Sequence, residues 1–327
     1  MGITAPTALQ SLASTCEVIG VMRAVDAAAQ TVDPVQVFAA ERGIPVFNET
    51  SLSALRNLIH RLRPDGVVIS SFDRILPRDL LTSCPFVNVH YAPLPRFRGR
   101  ATVNWAIITG EPTAAITIHV LEEDLDAGNV LFQSAVPIGR SDTVGDLYER
   151  LNDLQLHHLG ETVVGYLNGD RGQPQSAEAA TYGCTRLPAD GEIDWTAGTG
   201  AIDALIRALA APYPGAFTYY EGRRMVVWRA SAIDDPPAYA GRVPGRIVYV
   251  SRDQGHVDVL TADGVLRIFE VEDESGRRVP AAHVVRSVRA TLGLRTADLM
   301  SRIEALEREV GALRDQLMLT GDKHAHV

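Results

Sequence analysis

The sequence predicts an α/β domain built on a doubly wound, mostly parallel sheet, followed by a small β-barrel and then a coiled-coil helix. Three observations carry that prediction. Short apolar runs alternate with helical stretches over the first half of the chain. Short strand-like runs separated by Gly, Asp and Pro fill most of the second half. After residue 296, large apolar residues recur at alternating spacings of four and three.

Taken in order, Val18–Met22 and Gly66–Ser70 are continuous apolar runs of the kind buried on both faces of a parallel sheet. Between them, Val35–Glu41 reads as a helix ending at Gly43, Ile44–Val46 as a strand stub, and Leu52–Leu62 as a helix stopped by Pro64. Phe86–His90 is a strand that ends in polar residues, and a loop rich in Pro, Arg and Gly follows over 91–100. Ala101–Ile108 reads as helix, and Ile116–Leu121 and Val130–Val136 as strands. Val144–Leu167 places Leu147, Leu151, Leu154, Leu159 and Val163 near helical spacing. The polar stretch 168–180 reads as a linker, which sets the first domain at 1–178.

A short helix, Ala201–Ala210, comes next. Five candidate strands follow, Phe217–Tyr220, Arg224–Trp228, Gly245–Val250, Val257–Leu260 and Val265–Val271, enough for an OB-like barrel within 179–293. Leu299, Ile303, Leu306, Val310, Leu313 and Leu317 form an a/d seam in a helix over 296–319. The charged residues around the seam favour a homodimer joined through 299–317 over a helix packed on its own barrel.

Composition narrows the function. The chain has 327 residues, 46% hydrophobic and 22% charged, which excludes disorder of the whole chain. No apolar run approaches the roughly 20 residues that span a bilayer, and no basic stretch followed by an apolar one opens the chain. A cytoplasmic protein without a membrane partner is expected. Asp and Glu number 40 against 31 Lys and Arg, a net charge of −9, which counts against gripping nucleic acid by charge alone. Cys16, Cys84 and Cys184 are odd in number and far apart, so neither a disulfide framework nor a metal site follows, and buried free thiols are expected.

The sharpest local feature is Asn88-Val89-His90. Residues two apart on a strand share a face, so an amide and an imidazole stand side by side at a strand end, the usual place of an α/β active site. Pro93–Arg100 (PLPRFRGR), Asn104-Trp105, Gly110-Glu111 and Leu121–Gly128 (LEEDLDAG) follow in that order. Further on stand Ile193-Asp194-Trp195 and Tyr213–Phe217 (YPGAF).

Together these motifs resemble the folate-dependent formyltransferases, the family that includes methionyl-tRNA formyltransferase, over roughly residues 1–292. The resemblance implies a Rossmann-like catalytic domain and transfer of a formyl group from 10-formyltetrahydrofolate, without a metal, to a primary amine. It assigns Asn88, His90 and Asp126 as the catalytic residues, and Ile75, Leu76 and Pro77, in the segment 72–77, as folate contacts. Asn88 and a protonated His90 can donate to a developing oxyanion. His90 can also move a proton near neutral pH. Asp126 can orient His90, favour its charged form or accept the amine's proton through water. Glu122, Glu123 and Asp124 read as solvated loop charges.

The expected acceptor is a small-molecule amine, an amino sugar carried on a nucleotide, with Arg98 and Arg100 facing its phosphate or carboxylate groups. The motifs R-G-R, N-W, D-A-G and P-G-A-F are especially similar to the branch that formylates UDP-4-amino-4-deoxy-L-arabinose. Segment 23–35 holds a single Arg and two Asp, which makes tRNA the less favoured partner. The alternatives are methionyl-tRNA and another small or carrier-bound amine such as hydroxyornithine. Family members open on a strand that Met1–Thr4 does not supply, so roughly ten further residues are expected ahead of Met1.

Overall fold

The structure, a computed structural model, describes residues 3–24, 32–72 and 74–321, with side chains in the last helix described up to residue 314 apart from residue 298. Asp73, Lys323 and most of the segment 23–35 that bore on the acceptor lie outside the described residues. Two compact units divide at Pro188 and Ala189.

The first unit runs α1 (Ala5–Thr15), β1 (Val21–Met22), α2 (Pro34–Glu41), β2 (Val46–Phe47), α3 (Leu52–Leu62), β3 (Val67–Ile69), α4 (Arg78–Leu81), β4 (Phe86–His90), β5 (Arg98–Gly99), α5 (Thr102–Ile108), β6 (Thr113–Val120), β7 (Val130–Pro137), α6 (Val144–Leu167) and β8 (Tyr182–Gly183). The helix starts follow from their sequences. Asp33 accepts from Val35 N ahead of Pro34, Ser51 accepts from Ala54 N, and Thr143 and Asp146 form a reciprocal capping box. Leu147, Leu151 and Leu159 on α6 are fully buried.

Parallel pairing joins β1 to β2, β3 to β4 and β5 to β8. The four-stranded sheet has the order β3-β4-β6-β7, in which β6 and β7 add antiparallel. That pair is a hairpin, and its connection, residues 121–129, is the acidic loop. The stub expected at Ile44–Val46 pairs one residue later, Val21 with Val46 and Met22 with Phe47. Pro45 has no N–H to give, and its carbonyl accepts from Val21 N.

The first compact unit continues past residue 178, to Pro188. Residues 168–183 fold back on it: Gln173 exchanges backbone bonds with Val130, Phe97 N donates to Thr181 Oγ1, and β8 pairs with β5. The three cysteines are free, but Cys16 and Cys84 are only partly buried and Cys184 is exposed, so the expectation of buried thiols is corrected. Cys184 lies just past the end of β8, where the chain leaves the sheet. Helices α1 and α6 meet at Gly160, where a Cβ would run into Thr15 Oγ1 and Ser11 O. Gly160→Ala is expected to destabilise the protein by about 1–3 kcal/mol, read as a lower denaturant midpoint.

The second unit runs α7 (Thr199–Ala208), β9 (Ala216–Tyr220), β10 (Arg223–Ala232), β11 (Ile247–Ser251), β12 (His256–Leu260), β13 (Val265–Glu272), β14 (Arg278–Pro280), α8 (Ala281–Val284) and α9 (Thr296–Gly321). Its antiparallel path is β11-β12-β13-β10-β9, with β14 on β13. The five expected strands are all present. Among the described residues β11 and β9 do not pair with each other. Residues 290–293 bridge them instead: Ile247 N donates to Ala290 O, Leu292 N to Gly245 O, and Gly293 N to Tyr219 O. Trp195, Ile206, Val227, Val259, Leu266 and Ile268 lie in the enclosed core. Among the described residues no helix is long and apolar enough to cross a membrane.

Candidate active site

Strand β4 forms as the sequence dictates, buried along nearly its whole length, and it carries Asn88 and His90 at its C-terminal end. Antiparallel pairing with β6 sets Asn88 opposite His119 and His90 opposite Thr117. The loop after β6 returns Asp126 to the same place. Gly128 passes so close to β6 that a Cβ would collide with Val120 O, which explains the glycine of the D-A-G motif. Asp126 itself takes the left-handed region at φ 49°, and both it and His90 are buried.

Around Asp126 the three expected residues come together. Asn88 Nδ2 donates to Asp126 Oδ1 at 3.4 Å and to His119 Nε2 at 3.1 Å. Gly99 N donates to Asp126 Oδ2 at 2.8 Å, and His90 Nδ1 stands 3.8 Å from the same oxygen. A carbonyl can only accept, so His90 Nε2 donates to Phe97 O at 2.8 Å and Nδ1 keeps its lone pair toward Asp126. By the same reasoning His119 donates from Nδ1 to Val120 O at 2.8 Å and accepts at Nε2.

These contacts fix the charges. Burial lowers the pKa of His90 below the usual 6.5; the Asp126 charge and the Phe97 bond oppose that, and His119 adds to it. Burial alone would raise Asp126, but the neighbouring His119 and His90 rings and the Gly99 amide outweigh it and hold the carboxyl at about 2. At neutral pH the site therefore holds a neutral imidazole against a carboxylate.

The remaining expected residues divide. Ile75 leaves 79% of its surface exposed, Leu76 is buried beside Leu80 and Phe86, and Pro77 is half-buried at the start of α4. Because β3 pairs Ile69 with Asn88, this segment begins beside the site strand. Arg100 is exposed. Arg98 is not: it is 7% exposed, Nη2 donates to Gln175 Oε1 at 2.9 Å, and Nε is buried without a hydrogen-bond partner.

Sequence reasoning missed His119 and Gln175. Gln175 Nε2 donates to Asp126 O at 2.8 Å and to Gly128 O at 2.7 Å, so Arg98 and Gln175 fasten the acidic loop from behind. Gln175→Ala is expected to lower kcat about 10- to 100-fold with little change in KM, because a misplaced carboxylate affects chemistry more than binding. Gln175→Glu keeps the acceptor for Arg98 but loses both donors, and steady-state kinetics should show the same fall. Among the described residues no cluster of three or more His, Cys, Asp or Glu is placed to hold a metal.

Comparison with known proteins identifies the family. The Formyl transferase family matches residues 16–163, and Formyl transferase, C-terminal domain, matches residues 187–289. The methionyl-tRNA formyltransferase of Thermobifida fusca is 33% identical over 306 residues, covering 90% of this chain and 96% of its own. That of Symbiobacterium thermophilum is 34% identical over 281 residues, 84% of each chain. Among solved structures, HypX from Aquifex aeolicus is similar at a TM-score of 0.59 and 20% identity, over 76% of this chain and 45% of that one. WlaRD, a sugar 3N-formyl transferase, is similar at 0.56 and 18%, over 82% and 93%. At those identities the structural likeness speaks for the fold alone. With both domains matched and relatives a third identical along most of the chain, this protein belongs to the formyl transferase family, enzymes whose formyl donor is 10-formyltetrahydrofolate.

Proposed function

We propose that the chain formylates methionyl-tRNA, with Asn88, His90 and Asp126 as the catalytic residues. The observation that carries the acceptor is the agreement of relatives 31% to 34% identical, which bear the name methionyl-tRNA formyltransferase and match along both domains. Charge is compatible with it. Residues 189–295 carry thirteen Arg against fourteen Asp and Glu, so the acidic excess lies outside the second unit's sheet domain. Arg224, over buried Phe217, and Arg278, over Trp228, are exposed cations that a phosphate backbone could meet.

10-Formyltetrahydrofolate supplies the formyl carbon and, at N10, the nitrogen that leaves with a proton. Ile75, Leu76 and Pro77 are proposed to hold it: Ile75 offers the exposed apolar face a flat ring requires, and buried Leu76 anchors the segment. The amine nitrogen bonds to the formyl carbon, and the bond from that carbon to N10 breaks. Neutral His90 takes the amine's proton at Nδ1, opposite Asp126, and returns it toward N10. Asp126 stabilises the imidazolium in between. Asn88 turns its amide from the long bond with Asp126 to the oxyanion. Arg100 is proposed as an acceptor contact, and Arg98 as a support of the loop.

A nucleotide-linked amino sugar is the second reading, favoured by the R-G-R, N-W and P-G-A-F motifs. Formyl transfer to each acceptor across a salt series separates the two. A tRNA backbone releases counterions, so formylation of methionyl-tRNA should fall steeply as salt rises. Efficient, salt-insensitive formylation of the amino sugar, with none of methionyl-tRNA, would replace this acceptor and leave the catalytic residues assigned.

A further inference from the structure

Helix α9 carries an apolar stripe that the rest of the described chain leaves uncovered. Leu299, Ile303, Leu306, Val310 and Leu313 expose 44%, 48%, 44%, 46% and 52% of their surfaces. The seam therefore does not pack on its own barrel. It runs for about four helical turns, longer than the isolated apolar side chains a monomer leaves in water.

Its residue types and charges say what covers it. The spacing places Leu299, Leu306 and Leu313 at d, and Ile303, Val310 and Leu317, the first two β-branched, at a. β-branched residues at a with leucine at d favour two parallel strands, in which each seam residue meets its own counterpart. The charged residues at the flanking g positions are Arg302 and Glu309, and those at the e positions, which also include Met300, are Glu307 and Arg314, all exposed. In a parallel, in-register pair each g residue faces the e residue five positions on in the other strand. Arg302 then meets the partner's Glu307, and Glu309 meets the partner's Arg314, opposite charges in both pairs. One sequence supplies both halves of this match, so the occupant is a second copy of the chain.

We propose that α9 is a dimerisation element, forming a parallel, in-register, two-stranded coiled coil between two copies. The seam is short, so the dimer forms in a concentration-dependent equilibrium. This inference is independent of the acceptor.

The test measures the mass of the full-length protein by analytical ultracentrifugation over a concentration series. Wild type should rise from the mass of one 35.4 kDa chain toward two. Arg302→Glu/Glu309→Arg and Glu307→Arg/Arg314→Glu should each stay single, because every g–e pair becomes repulsive. Mixed in equal amounts they should pair again, because every g–e pair becomes attractive. That recovery also shows that neither variant failed through loss of its helix, and retained formyl transfer shows that the remainder is folded. An antiparallel pair sets g against g and e against e, and both double variants keep opposite signs there. Dimerisation of either variant alone would therefore overturn the parallel arrangement. Wild type that stays single throughout, a wild-type mass beyond two chains, or a mixture that stays single would overturn the proposal.

Discussion

His90→Ala should lower kcat for formyl transfer about 100-fold or more while leaving the sheet intact. The imidazole is fixed by its bond to the Phe97 carbonyl at 2.8 Å, and its Nδ1 stands 3.8 Å from the Asp126 carboxylate, so it cannot be replaced by a neighbour. His119 is nearby, its ring centre 6.3 Å from that of His90, but its Nε2 already accepts from Asn88. Losing one buried side chain at the end of β4 leaves the strand's pairing with β3 and β6 in place. Circular dichroism and a denaturant midpoint verify folding, and tetrahydrofolate release gives the rate. Near-normal turnover in a folded His90→Ala protein would remove His90 from the chemistry.

Asp126→Asn should lower kcat by about 100- to 1,000-fold, because it withdraws the charge that stabilises the imidazolium. It should also move the pH profile in a defined direction. His90 must be neutral to take a proton, so the acid limb of kcat/KM reports its pKa, below the ordinary 6.5. Asp126 is a force holding that pKa up, and its loss should shift the limb to still lower pH. Stability follows the opposite group. A carboxyl at about 2 when folded, against 3.8 unfolded, gives roughly 2 kcal/mol of stability above pH 3.8. That contribution is lost as pH falls from 3.8 through about 2. Asp126→Asn should therefore be less stable than wild type at pH 7 and equal to it near pH 2.

The strand at the centre of the site was legible to the residue. Phe86–His90 is buried along nearly its whole length, so its apolar run and its polar end were both plain. His119 had a signal that went unused. Thr117 and His119 alternate with Ile116 and Ile118 on β6, all fully buried, so a second polar pair two residues apart marks the facing strand. Gln175 had none: in a stretch of Gly, Asp, Gln and Pro its composition reads as linker, and only tertiary pairing with the Val130 region puts it behind Asp126. Arg98 reads in the sequence as a ligand contact because it is a charged residue in a loop, and its burial was not legible because it comes from the two-residue pairing of β5 with β8. The barrel's closure by residues 290–293 was invisible because that segment forms no strand-like apolar run.

The central claim is that this constellation moves a formyl group from folate to the methionyl amine. It is tested most directly by supplying 10-formyltetrahydrofolate with an isotopically labelled formyl carbon and following that carbon by mass spectrometry. With methionyl-tRNA present, the label should appear on the methionyl nitrogen, one equivalent for each tetrahydrofolate released, and in the His90→Ala protein both signals should fall together, by about 100-fold or more. Label appearing only as free formate, or tetrahydrofolate release that does not depend on any amine, would contradict it.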